Sequence, residues 1–298
     1  MTASFAAKLG RFLYRKLRSL FGKNAIELVR NEYTVMPRFG YHQPLDYDRE
    51  TWPPRFEPYT TVPGEAIPIP PAYDRYGYSP NDSADYLRWG RADHDLIVKT
   101  AGEFGGIEMG AHILDFGCSS GRVLRHFETE HQSSRWVLHG VDVQARPIEW
   151  MRQFFPQHFQ VYTGTVLPHL PFPDEYFDLI YGFSVFTHIK YLWDAWLLEL
   201  RRVLKAGGLL IQTIHAEEAW THYHKNRNEE YVRTGLPKSM LSRREMDVDF
   251  FYFGDIAVSQ VFWKRETARK YWGRYFEVLD LRKPPERSFQ DWIICRKR

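Results

Sequence analysis

Between Ser83 and His215 the chain alternates short apolar runs with longer amphipathic ones. The short runs are Ile113 to Phe116, Trp136 to Val141, Phe177 to Tyr181 and Leu209 to Ile214. They are too short for buried helices and are rich in β-branched and aromatic residues, so they predict buried strands. The intervening segments read as helices. Ser83 is placed to cap one that runs to Phe104, and Gly121 to Phe127 begins a second. Pro147 sits near the first turn of a third, and Trp193 to Leu204 is amphipathic and stopped by Ala206-Gly207-Gly208. Apolar strands alternating with helices indicate a parallel sheet covered on both faces. Beyond it, Trp263 to Tyr275 reads as a helix, and Phe276 to Leu281 and Trp292 to Cys295 read as strands. The turn through Lys283-Pro284-Pro285-Glu286 makes those late strands an antiparallel pair.

The first 82 residues have a different pattern. Phe5, Leu9, Phe12, Leu13, Leu17, Leu20 and Phe21 form a helical stripe, with Lys8, Arg11, Arg15 and Arg18 on the other side. Such a helix fits peripheral attachment to an anionic membrane surface, and equally docking on the domain or on a partner subunit. Ten prolines between Pro37 and Pro80 then preclude long helices and favour an extended track over another surface. The expected organisation is a basic helix in residues 1–30, a proline-rich arm in 31–82, and a catalytic domain in 83–298 with a substrate-side insertion at about 216–262.

Composition narrows the classes. A net charge of +3 is too small to make nucleic acid the main partner. Two cysteines, Cys118 and Cys295, exclude a disulfide framework and fit a reducing, cytoplasmic setting. No apolar run approaches a membrane span, and the N-terminus does not read as a secretion signal. Aromatic residues, 16% of the chain, cluster at Tyr73, Tyr76 and Tyr78 and at Phe250 to Phe253. These serve as pocket walls or a lid, or fill core around an irregular segment.

The segment richest in chemistry is His112-Ile-Leu-Asp-Phe-Gly-Cys-Ser-Ser-Gly121-Arg122, a strand running into a loop of small residues and then a helix. In a doubly wound sheet such a turn lies at the carboxyl edge, where ligands bind. The dinucleotide fingerprint requires glycine at the positions of Gly117, Ser119 and Arg122, and only the first complies. An NAD(P) oxidoreductase is therefore disfavoured.

The same segment resembles the first motif of class I S-adenosylmethionine-dependent methyltransferases, a strand-terminal acid followed by Gly-x-Gly-x-Gly, with Ser119 in place of the middle glycine. Later segments resemble that family in order: Gly140-Val141-Asp142; Leu170-Pro-Phe-Pro-Asp-Glu-Tyr-Phe-Asp-Leu179; Ser184-Val-Phe-Thr-His188; and Leu200-Arg-Arg-Val-Leu-Lys-Ala-Gly-Gly208, with Ala206 where proline is usual. The likeness is strongest to bacterial small-molecule and cell-envelope methyltransferases. It implies an α/β, Rossmann-like, seven-stranded, mostly parallel sheet with an antiparallel last strand and helices on both faces. It also implies S-adenosyl-L-methionine as cofactor. Asp115, Gly117, Cys118, Ser119 and Gly121 would hold its methionine end. Asp142 and Val143 would lie at the ribose, and Thr165 and Val166 near the adenine. Phe183 and Ser184 would flank the cofactor.

Methyl transfer to a hydroxyl or amine needs a proton acceptor. His188 and His215, beyond the fourth and fifth strands of the resemblance, are the candidates, with His188 preferred. Each also reads as a helix cap or a satisfied polar residue. His215, His222 and His224 match no standard metal spacing, so no metal is expected. The acceptor is expected to be a small molecule, a glycan or a lipid-linked envelope precursor. The competing class is a non-catalytic S-adenosylmethionine-binding module.

Overall fold

A computed structural model describes residues 55–56, 60–75, 82–226, 240, 243, 245–253, 259–283, 285 and 288–298. The basic stripe at Phe5–Phe21, most of the proline-rich arm, Tyr76, Tyr78 and much of the expected insertion lie outside them. The described residues belong to one unit, Pro44–Arg298.

The first described elements are an isolated bridge between Thr60 and Ile69 and a short 3-10 turn, Ala72–Arg75. Helix α1 spans Ser83–Glu103, and its cap is Asp82 rather than Ser83. The Asp82 carboxylate accepts the backbone N–H groups of Ala84 and Asp85 at 2.8 and 3.1 Å, satisfying two orphan donors of the first turn. Then follow β1 (His112–Phe116), α2 (Glu128–Ser134), β2 (Val137–Asp142), α3 (Ala145–Phe154), β3 (Phe159–Thr163) and β4 (Phe177–Gly182). After them come α4 (Trp193–Val203), β5 (Leu204–Ile214) and α5 (Glu217–Lys225). The segment expected to start a helix at Gly121 tightens into a 3-10 turn, Leu124–Phe127, before α2.

The last elements are a hairpin, β6 (Phe250–Phe253) with β7 (Gln260–Trp263), then α6 (Arg265–Trp272), β8 (Glu277–Arg282) and β9 (Asp291–Arg296). Trp263, read from sequence as the start of a helix, ends β7 instead. Its N–H donates to the His215 carbonyl at 2.8 Å, so a backbone partner outside the helix fixes it.

Seven strands form one sheet in the order β3-β2-β1-β4-β5-β9-β8. β1 to β5 are parallel, and β9 runs antiparallel to both β5 and β8. This is the mostly parallel, Rossmann-like architecture expected, with the reversed last strand, β9, lying between β5 and the edge strand β8. Side-chain alternation divides the core. Ile113, Leu138, Leu179, Leu209 and Ile294 face one way and pack with Ile97 of α1 and Trp150 of α3. Leu114, Ile180, Leu210 and Ile293 face the other way, with Leu197 and Leu200 of α4 and Trp272 of α6. The sheet is thus buried on both faces, which is why its strands read as unbroken apolar runs.

The strand order reverses at β1, with β2 and β3 to one side and β4 and β5 to the other. The crevice beyond the carboxyl ends of β1 and β4 is the place where such sheets bind ligands.

Candidate functional site

The loop after β1 is held from beneath by the end of β2. The N–H groups of Gly117 and Cys118 both donate to the Val141 carbonyl, at 2.8 and 3.1 Å. That of Ser119 donates to Asp142 Oδ2 at 2.8 Å, and that of Gly121 to the Cys118 carbonyl at 2.9 Å. Gly117 and Gly121 both adopt positive φ, +83° and +76°. A Cβ at Gly117 would meet Val185 Cγ2 at 2.3 Å, so this glycine lets the β4 loop close on the β1 loop. A Cβ at Gly121 would meet Phe155 Cζ at 2.4 Å and Met151 Sδ at 2.7 Å. Gly121 therefore serves the packing of α3 against the loop. Cys118 turns its thiol inward against Gly140, and burial raises its pKa well above the ordinary value, so only its backbone can face a ligand.

Two carboxylates flank this loop. Asp115, near the end of β1, is buried, and desolvation raises its pKa to about 7. The neighbouring Tyr181 hydroxyl and the Arg122 charge oppose that rise, while the Asp142 charge adds to it. Among the described residues Asp115 has no ion-pair partner, since Arg122 pairs with Asp93. Asp142 is half-buried at the end of β2; besides Ser119 it accepts the Gln144 N–H on Oδ1 at 2.9 Å. The adjoining β3 loop is tied to the same strand end by the Gly164 N–H, 2.7 Å from the Asp142 carbonyl. Half-buried Val143, Thr165 and Val166 thus come together beside Asp142, with the Thr165 hydroxyl turned back on its own loop toward Leu167.

The loop consequently spends its N–H groups at positions 117, 118, 119 and 121 on the protein. Beside these amides stand the Asp115 and Asp142 carboxylates, which are acceptors. A pyrophosphate needs donors and finds these amides already used. A ligand with an ammonium and a ribose diol supplies the complementary donors.

The profile of the methyltransferase domain matches residues 114–212, the span from β1 through β5. That stretch is a methyltransferase domain, as the resemblance to the S-adenosylmethionine-dependent methyltransferases implied. Solved structures are similar in fold. A protein from Pyrococcus horikoshii is 15% identical at a TM-score of 0.51, over 73% of this chain and 93% of that one. A protein from Listeria monocytogenes named as an S-adenosylmethionine-dependent methyltransferase is 15% identical at 0.50, over 71% and 99% of the two chains.

On the other side of the crevice the methyltransferase places its β4 and β5 loops. Ser184 adopts φ +58°, and its N–H donates to Thr213 Oγ1 at 2.8 Å. The Thr213 hydroxyl donates to Gln290 Oε1 at 2.6 Å, and Gln290 Nε2 donates to the Ser184 hydroxyl at 2.7 Å. This closed ring fixes the loop after β4, and Phe183 beside it packs edge-on to Trp292 at 5.1 Å. Sequence reading missed Thr213 and Gln290. Thr213 is submerged in an apolar strand pattern, and no motif marks Gln290.

His188 follows in the same loop, its N–H on the Val185 carbonyl at 2.9 Å. Its Nδ1 lies 2.5 Å from the Ser259 carbonyl. A carbonyl only accepts, so Nδ1 carries the proton and Nε2 keeps its lone pair. The residue is exposed, yet desolvation by the surrounding protein lowers its pKa. His215, directly after β5, is fully buried among Tyr223, Phe262 and Phe289, and its pKa falls to about 3. Neither of its ring nitrogens has a hydrogen-bond partner among the described residues. His188 and His222 lie close enough to depress it electrostatically. His224 is instead turned to the carbonyls of Trp220 and Met240, at 2.8 and 3.2 Å.

Proposed function

We propose that this methyltransferase carries a methyl group to a hydroxyl or amine of a small-molecule, glycan or lipid-linked acceptor bound beyond β4 and β5. The cofactor's sulfonium supplies an electrophilic methyl group for in-line displacement. The protein's part is alignment of the two reactants, removal of a proton and exclusion of water. Asp115 would pair with the cofactor's ammonium, and Asp142, at the end of β2, would accept its ribose hydroxyl hydrogens. Val143, Thr165 and Val166 would border the adenine, and Phe183 and Ser184 the methyl group.

The observation that carries the acceptor side is the tautomer of His188. With Nδ1 committed to Ser259, Nε2 is an available base, and its lowered pKa keeps it unprotonated at pH 7. His215, whose pKa is near 3, is too weak a base for that step; a hydrogen bond from its unpartnered ring to the acceptor is the role that suits it. A screen of hydroxyl- and amine-bearing envelope precursors with methyl-labelled cofactor tests this reading. His188→Ala should lower the methyl-transfer rate at least about a hundredfold, within the range typical of general-base removal, without weakening cofactor binding. Equal rates for wild type and variant would exclude His188 as the base.

No helix among the described residues is long and apolar enough to cross a membrane. The basic stripe at Phe5–Phe21 supports peripheral association with anionic lipid, which would suit a lipid-linked acceptor. Liposome flotation of the full chain at low and high salt tests it, and flotation that ignores salt would contradict it.

A further inference from the structure

The far side of the cofactor loop is gripped by one face of α1. Tyr86, Gly90 and Asp93 are spaced by four and three residues, so they share that face. The buried Tyr86 hydroxyl lies 3.1 Å from Ser120 Oγ and 3.4 Å from the Ser120 carbonyl. At Gly90 the helix backbone comes so near the next turn that an added Cβ would stand 2.2 Å from the Arg122 carbonyl. Asp93 Oδ2 lies 2.8 Å from Arg122 Nη1, and both side chains are largely withdrawn from solvent, at 14% and 8% exposure. Three successive turns of one helix thus fix residues 120–122. β2 fixes residues 117–119 from the other side.

We propose that Tyr86 and Asp93 are positioning residues for cofactor binding, holding residues 120–122 so that the 117–121 loop keeps the arrangement that receives the ligand beside Asp115. The inference rests on the reading that the 117–121 loop holds S-adenosylmethionine. Arg122 has a second consequence there. Its charge opposes the upward shift of the Asp115 pKa, and Asp93 sets where that charge sits. Arg122, which spoils the dinucleotide fingerprint, is on this account a working part of the loop.

The distinction to be drawn is between positioning and mere stability. Glu130 supplies the control. It meets His94 of α1 at 3.0 Å, and among the described residues no hydrogen bond or ion pair ties it to the loop. S-adenosylmethionine affinity is measured by calorimetry well below the melting temperature for wild type, Asp93→Asn, Asp93→Glu, Tyr86→Phe and Glu130→Gln. Asp93→Asn should weaken binding about tenfold, and Asp93→Glu, which keeps the charge, should recover most of the loss. Tyr86→Phe should weaken it about threefold, and this variant carries the test if Asp93→Asn does not fold. Glu130→Gln should melt earlier and bind within twofold of wild type. The proposal is overturned if Asp93→Asn and Tyr86→Phe bind as wild type does, or if Glu130→Gln loses as much affinity as Asp93→Asn. A wild type that does not bind S-adenosylmethionine would instead remove the cofactor reading on which the proposal stands.

Discussion

Replacing Asp142 by Asn tests whether one side chain both builds the loop and binds the ligand. The native carboxylate accepts two backbone N–H groups, from Ser119 at 2.8 Å and Gln144 at 2.9 Å, one on each oxygen. The amide can accept only one of them and turns its own NH2 toward the other, leaving a donor unmatched. A hydrogen bond to a charged group contributes about 1.5–3 kcal/mol, and an orphaned donor costs about 1–3 kcal/mol. Part of this falls on the fold, because the bond to Ser119 exists without ligand. A loss of about 1–2 kcal/mol should lower Tm by roughly 2–8 °C for a domain of this size. The ribose bonds should lose their charge-assisted component, about 1.4–2.8 kcal/mol together, which is a 10- to 100-fold rise in Kd. Calorimetric titration with S-adenosylhomocysteine, alongside a thermal melt, separates the two losses. A folded Asp142→Asn variant with unchanged Kd and lowered Tm would make Asp142 a loop brace only and refute the ribose assignment.

Other consequences follow from the same geometry. Gly121→Ala should destabilise by at least about 2 kcal/mol in chemical denaturation, since it adds a left-handed backbone penalty to overpacking against Phe155 and Met151; a neutral result would mean that α3 yields there. Cofactor binding at pH 6 should release close to one proton as Asp115, with its pKa near 7, ionises against the ligand's ammonium, so the calorimetric enthalpy should vary with buffer ionisation enthalpy; no variation would exclude that pairing. His126, His139 and His215 are buried, with pKa values of about 3, 4 and 3, so between pH 4 and 6.5 the unfolded chain binds three protons that the folded chain refuses. Asp115 acts the other way by one proton, leaving two from these four groups. Stability should therefore be retained above pH 6.5 and fall by up to about 2.7 kcal/mol per pH unit below it, and melts between pH 7 and 5 that showed no decline would contradict those burials.

Much of this molecule was legible because its physics is local. β1, β2, β4 and β5 are buried on both faces and announce themselves as apolar runs. Asp115 and Asp142 stand out as acids that end two of them. Long-range partners were not legible. The sequence offered Ser83 as the helix cap, but Asp82 one residue earlier had the free carboxylate. Trp263 looked helical until the His215 carbonyl claimed its N–H. Gly121 read as part of the loop that holds the cofactor's methionine end, yet its missing Cβ makes room for Phe155 and Met151. The Ser184–Thr213–Gln290 ring joins residues up to 106 positions apart and leaves no periodic trace. His188 and His215 were paired by motif order alone, and only burial and the Ser259 carbonyl separate their chemistry.

The crevice beyond β1 and β4 presents the Asp115 and Asp142 carboxylates, with the amides of Gly117, Cys118, Ser119 and Gly121 turned to the protein, and so takes an ammonium- and ribose-bearing ligand over a pyrophosphate. Titrating the full-length protein at pH 7.5 with S-adenosylmethionine and, separately, with NADH tests it most directly. The account predicts saturable binding of the first and no detectable heat with the second. Tight NADH binding with none of S-adenosylmethionine would contradict it.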